Sequence, residues 1–198
     1  MATYRQLPES EHRENLVEAY SHHITELMDE GRRAYYLNFM FNQLPGPRQT
    51  QLHIMAQDVE RVHWILMHHI VRRPNAERFA HLRPIFFGCP DLPVFKWNRD
   101  KVGQSVTAND GLHFNVVALV PPRTDPVLPV EFQYWLRGPL SRLTVPLDQH
   151  FQENSRKYLN RRLARIDVTP ITEGTMADYT FKTFKHGRID EDSILVLK

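Results

Sequence analysis

The chain has 198 residues, 41% of them hydrophobic and 24% charged, with a formal net charge of +2 at pH 7. This is one globular domain with a sizeable core and no room for a second full domain, and a charge this mild leaves nucleic-acid affinity to the placement of charges, not their sum. Cys89, the single cysteine, excludes an internal disulfide and a thiolate-rich zinc site. No apolar run approaches the roughly 18 residues of a membrane span. The N-terminal residues are polar and acidic, unlike a secretory signal, so a cytoplasmic protein is expected.

From the N-terminus, Ser10 to Glu30 carries Leu16, Val17, Tyr20, Ile24, Leu27 and Met28 at helical spacing and stops at Gly31. Residues 1–32 are read as a helical arm, and residues 33–198 as the body of one compact domain. Arg33 to Phe41 is dense in aromatic and aliphatic residues and ends at Leu44-Pro45-Gly46-Pro47, which predicts a buried first strand running into a turn. The longest helical pattern follows over Arg48 to Arg73, with Leu52, Met55, Val59, Val62, Ile65, Leu66 and Ile70 on the inner stripe. His63, His68 and His69 lie on it without metalloprotease spacing or an intervening Glu, and are read as packing residues.

Two apolar runs, Leu82 to Cys89 and Leu92 to Asn98, are separated by Pro90-Asp91 and predict short antiparallel strands. A polar loop from Arg99 to Asp110 leads through Asn109-Asp110-Gly111 into the stretch Gly111 to Val120. Strand periodicity there puts His113 and Asn115 on one face, with Leu112, Phe114 and Val116 on the other. An imidazole and an amide oxygen at this spacing can share a hard divalent cation, Mg²⁺ or Mn²⁺; the other reading is a core strand with a satisfied His and Asn. Pro121-Pro122 ends the strand. A short helix is expected around Val130 to Leu136, with Tyr134 and Trp135 packing.

Ser155 to Arg165 holds Arg156, Lys157, Arg161, Arg162 and Arg165 with no acidic residue, and reads as a helix with a cationic face. That face is either a solvated surface or one that tracks phosphates. A strand follows over Arg165 to Ile171, and Glu173-Gly174-Thr175 opens a last helix. On it, Tyr179 and Lys182 are three apart and share a face, while Phe181 and Phe184 point to the core. A phenol beside an ammonium can act as an activated nucleophile, since the cation stabilises developing phenolate and binds an adjacent phosphate. No Gly-x-x-x-x-Gly-Lys-Ser/Thr motif of a helicase motor is present.

The order of these parts, with the strand at Tyr36 to Phe41, the triplet His113-Phe114-Asn115 and the run Tyr179-Thr180-Phe181-Lys182, resembles the replication-initiator (Rep) branch of the HUH endonucleases across roughly Tyr35 to Gly187. The resemblance implies an α+β fold, a central antiparallel sheet flanked by helices and related to the RRM and ferredoxin-like folds. It implies metal-dependent nicking and joining of single-stranded DNA at a rolling-circle origin of a plasmid or phage replicon, through a 5′-phosphotyrosine. In those terms His113 is a metal ligand, Tyr179 the nucleophile and Lys182 its electrostatic partner. The family's second His is Asn115 here, and the third ligand, commonly Glu, would come from Asn98 or Asp100, or be replaced by a water. Arg156, Lys157, Arg161, Arg162 and Lys185 are the candidates to hold DNA, either single-stranded or as an origin hairpin, with unwinding left to a host helicase and no role for a membrane. The alternatives are a non-enzymatic DNA-binding protein that keeps the fold with a degenerate metal site, and a related transposase or relaxase.

Overall fold

The computed structural model describes residues 8–92, 111–122 and 141–198. Most of the expected Leu92–Asn98 strand, the loop that follows it, the Val130–Leu136 helix and the candidate ligands Asn98 and Asp100 lie outside the described residues. Five antiparallel strands form one open sheet in the order β4-β1-β3-β2-β5, with β1 at Arg33–Phe41, β2 at Ile85–Asp91, β3 at His113–Val120, β4 at Leu163–Pro170 and β5 at Leu195–Leu197. The His-x-Asn strand is therefore the central one. Its side chains alternate between two faces, each covered by different helices.

One face packs against α2 (Arg48–Ile70), whose inner stripe of Met55, Val59, Val62, Leu66 and Ile70 is fully buried. From the sheet it meets Leu37, Phe39, Phe86, Phe114, Val116 and Ala118, and the short α3 (Leu147–Glu153) and α4 (Ser155–Tyr158) add Phe151 and Tyr158 to the same core. Gly88 makes room for this layer: a Cβ there would lie 2.8 Å from the Phe114 ring. α2 stops at Ile70, short of the expected Arg73, with Val71 extended ahead of Pro74. His63 is a buried packing residue hydrogen-bonded to the Pro84 carbonyl at 2.9 Å, and its burial lowers its pKa.

The other face packs against α1 (Glu9–Asp29) and two single-turn helices, α5 (Ala177–Thr180) and α6 (Lys182–Lys185). Val17, Ile24 and Leu27 of α1 join Phe87, Cys89, Val117 and Leu119 of the sheet and Phe181 and Phe184 in a second apolar cluster. Gly31 follows α1 at φ 95°, a left-handed residue that turns the chain into β1. No helix among the described residues is long and apolar enough to cross a membrane.

Three expectations are corrected. The Pro90-Asp91 pair does not break a strand: β2 runs through both, paired with Phe114 and His113 of β3. β5 pairs only with Phe86 to Gly88, so on that side Pro90 faces no ladder partner, and its missing N–H costs nothing. The basic helix over Ser155 to Arg165 is only four residues long, because the Asn160 side-chain oxygen accepts the backbone N–H groups of Arg162 and Leu163, each at 2.8 Å, and turns the chain into β4. The last helix is two short helices hinged at Phe181, entered through Met176 at φ 56°.

Candidate functional site

The polar end of the α1-side face is built row by row from strand register. Asp91, His113, Met40 and Arg165 form one row across β2, β3, β1 and β4; Cys89, Asn115, Asn38 and Asp167 form the next; Phe87, Val117, Tyr36 and Thr169 the one after. α6 closes over the first row. Its Phe184 is buried in the apolar cluster, which fixes the turn so that two consecutive residues straddle one carboxylate: the Thr183 hydroxyl donates to Asp91 Oδ1 at 2.6 Å and the Lys182 ammonium donates to Oδ2 at 3.1 Å.

His113 Nε2 lies 3.1 Å from the same Asp91 Oδ2, and His113 Nδ1 lies 3.0 Å from the Gly111 carbonyl. A carbonyl and a carboxylate can only accept, so both ring nitrogens carry protons in this arrangement, Nδ1 toward Gly111 and Nε2 toward Asp91. Burial pushes the Asp91 carboxyl up, yet hydrogen bonds from His113, Thr183 and Lys182, with the His113 charge, outweigh it and hold the group well below the usual carboxylate range. Burial alone would lower His113; its bonds to Asp91 and to the Gly111 carbonyl, with the Asp91 charge, raise it above the ordinary imidazole value.

Asn115, fully buried, extends the network: its Nδ2 donates to Asp91 Oδ2 at 3.5 Å and its Oδ1 accepts the Tyr36 hydroxyl at 2.5 Å. Tyr36 in turn meets Tyr179 of α5 edge to face, ring centroids 5.5 Å apart. Burial, then the neighbouring Tyr179 and Asp91, raises the Tyr36 phenol far above its ordinary value, so it stays neutral. Tyr179 is 46% exposed. The Lys182 ammonium lies 5.2 Å from the Tyr179 ring centroid, so one cation serves both the aromatic face and the Asp91 carboxylate.

The donor set fits a hard divalent cation. His113 Nε2, an Asp91 oxygen and the Asn115 amide oxygen give one nitrogen and two oxygens, backed by the Gly111 carbonyl behind His113 and the Thr183 hydroxyl behind Asp91. The fit requires His113 Nε2 to give up the proton it shares with Asp91 and the Asn115 amide to turn over, which the Tyr36 hydroxyl tolerates because it accepts as readily as it donates. Among the described residues no group of three or more His, Cys, Asp and Glu is placed to hold a metal, so the amide is indispensable to such a site. Asp91 is the carboxylate beside His113 among the described residues, and the expected ligands Asn98 and Asp100 lie outside them.

His113, Asn115, Tyr179 and Lys182 thus converge at one end of the sheet, and the predicted DNA-holding residues do not join them. Arg156 and Lys157 are exposed on α4, on the opposite side with α2. Arg162 is bound to the buried Asp58 of α2, Nε to Oδ2 at 2.9 Å. Arg161 is exposed in the turn before β4, and Lys185 pairs with Asp178 at 2.8 Å. On the site's own face of the sheet lies Arg165, in the row of Asp91 and His113 and paired with Asp167 at 3.0 Å. Sequence reasoning missed both Asp91 and Tyr36: the first was hidden in a supposed turn, the second in a strand read only for packing. Comparison of the chain with protein-family models, with curated proteins and with solved structures finds no match.

Proposed function

We propose that this chain is a tyrosine-dependent DNA strand-transfer enzyme of the HUH Rep type, nicking and rejoining single-stranded DNA to start rolling-circle replication. The observation that carries the reading is a half-exposed tyrosine and a lysine on adjoining turns, set against an Asp-His-Asn cluster on the central strands. The Tyr179 oxygen attacks the phosphorus of a backbone phosphodiester, the bond to the 3′-oxygen breaks, and a 5′-phosphotyrosine and a free 3′-hydroxyl result; the Tyr179 proton passes to water and the leaving oxygen takes one up. Lys182, within reach of the Tyr179 ring and of Asp91, balances the developing phenolate and the phosphate charge. A divalent cation held by Asp91, His113 and Asn115 would add positive charge at the scissile phosphate. Attack by a 3′-hydroxyl on the phosphotyrosine restores the phosphodiester and frees Tyr179, so joining needs no ATP. The strand approaches over the open part of this face, past Arg165, and a separate helicase supplies the unwound template.

The test is covalent capture. Wild type and Tyr179→Phe are incubated with a random-sequence pool of single-stranded oligonucleotides and Mn²⁺, then run on a denaturing gel. Wild type is expected to form an adduct that Tyr179→Phe loses, with DNA binding retained. An adduct of normal yield in Tyr179→Phe removes Tyr179 from the role. Binding without any adduct in wild type leaves the non-enzymatic DNA-binding reading in its place.

A further inference from the structure

Tyr179 stands on a helix of only four residues whose N-cap residue, Met176, has left-handed backbone and supplies no capping hydrogen bond. Such a turn does not fix a half-exposed phenol by itself; a side chain in this setting has freedom that a reacting atom cannot have. What restrains the ring comes from outside the helix: the edge-to-face contact with Tyr36 and the cation on its face. Tyr36 itself is anchored. It rises from β1 in the row of Val117, reaches diagonally to the buried Asn115 amide of the central strand, and through that amide is tied to Asp91. The Tyr36 hydroxyl bond to Asn115 Oδ1 thus fixes the ring that meets Tyr179, the centroids 5.5 Å apart and the planes at 76°.

We infer that Tyr36 is the positioning residue for Tyr179: its ring, held by the hydroxyl bond to Asn115, packs edge to face with the Tyr179 ring, so that the nucleophile is registered against Asp91, His113 and Lys182 instead of against its own short helix. The inference rests on the proposed role of Tyr179. Tyr36 takes no proton and touches no reacting atom; it fixes the direction from which the Tyr179 oxygen leaves the surface. Lys182 cannot do this alone, since a cation over a ring face leaves the tilt of the ring free, whereas an anchored ring packed edge to face with it sets that tilt.

The experiment uses Tyr36→Phe, which keeps the ring and its packing and removes the single oxygen. Protein labelled with ¹³C at tyrosine Cζ gives one signal per tyrosine, and the Tyr179 signal is identified by its loss in Tyr179→Phe. The expected result is that the Tyr179 signal shifts in Tyr36→Phe, while the single-turnover rate of adduct formation at saturating DNA falls about 10- to 100-fold with the Kd for DNA within twofold of wild type. A Tyr179 signal that stays where it is in wild type, or a wild-type adduct rate, overturns the inference; a purely structural role for Tyr36 would lower thermal stability and leave the rate per folded molecule unchanged. If wild type forms no adduct, the nicking reading falls, and the Tyr179 signal still decides whether Tyr36 holds Tyr179.

Discussion

The two faces of the sheet are made by alternate residues of the same strands and put buried polar groups to opposite uses. On the α2 side, the buried Asp58 and His150 are consumed by their neighbours. Asp58, fully buried, takes Arg162, Asn160 and Arg61; His150 Nε2 meets the Tyr158 hydroxyl at 2.7 Å, and burial, with the charges of His69 and Lys157, lowers it to about 4. The Asp58 network reaches the surface through Arg162, which is spent on the carboxylate, and the His150 network stays inside. On the α1 side the Asp91 network ends at the surface: Lys182 is partly exposed, Tyr179 half exposed, and the sheet beyond them over β1 and β4 carries the exposed Arg165, Asp167 and Thr169. Burial of a charged group is common to both faces, so it does not mark a site. What sets the α1 side apart is a half-exposed phenol, Tyr179, beside the cation that pairs with the buried carboxylate.

The largest effect expected on the closed face is structural. Phe114→Ala should cost about 3–5 kcal/mol of folding free energy in a denaturant titration, because the ring is buried between α2 and Gly88. Its strand neighbour Asn115 lies on the other face, so any adduct formed per folded molecule should be unchanged. A loss of adduct out of proportion to unfolding would break the separation of the two faces.

On the open face, Asp91→Asn should cost less, about 1–3 kcal/mol at neutral pH, since Lys182 and His113 keep partial contact with water. It should weaken Mn²⁺ binding at least ~10-fold by titration. The pH dependence has a definite sign. Asp91 is depressed in the folded state, so its contribution is complete above the unfolded carboxylate value near ~4 and is lost as pH falls below it. Wild type should therefore lose stability in acid more steeply than Asp91→Asn, and parallel acid limbs would show that Asp91 carries no such linkage.

The smallest effects separate two adjacent arginines. Arg162→Ala should destabilise by about 1–3 kcal/mol because Asp58 stays buried, whereas Arg161→Ala, at an exposed turn position, should change stability by less than ~0.5 kcal/mol. Equal effects would mean the Asp58 clamp is not holding the start of β4.

Periodicity made much of this fold legible. The alternation in Gly111 to Val120 separates His113 and Asn115 from Phe114 and Val116 as the structure does, and β1 starts and ends at the residues read from composition. The failures have local causes. Pro90 is tolerated in β2 because β5 is too short to pair there, and nothing in the sequence of β2 reports the length of a strand a hundred residues later. That single misreading concealed Asp91. Tyr158, Leu159 and Leu163 suit a helix, but the Asn160 side chain competes for the backbone N–H groups and wins. Tyr36 is not singled out within its strand; its contacts come from a diagonal across β1 and β3 and from a helix at the far end of the chain.

The central claim is that Tyr179 becomes covalently joined to DNA. Full-length protein is reacted with the random single-stranded pool in Mn²⁺, the adduct is digested with nuclease and protease, and the modified peptide is sequenced by mass spectrometry. A nucleotide phosphate on Tyr179, absent when Mn²⁺ is replaced by a chelator, is the predicted result. A phosphate on Tyr158, Tyr36 or any other residue, or a protein that binds the pool and never carries one, would contradict it.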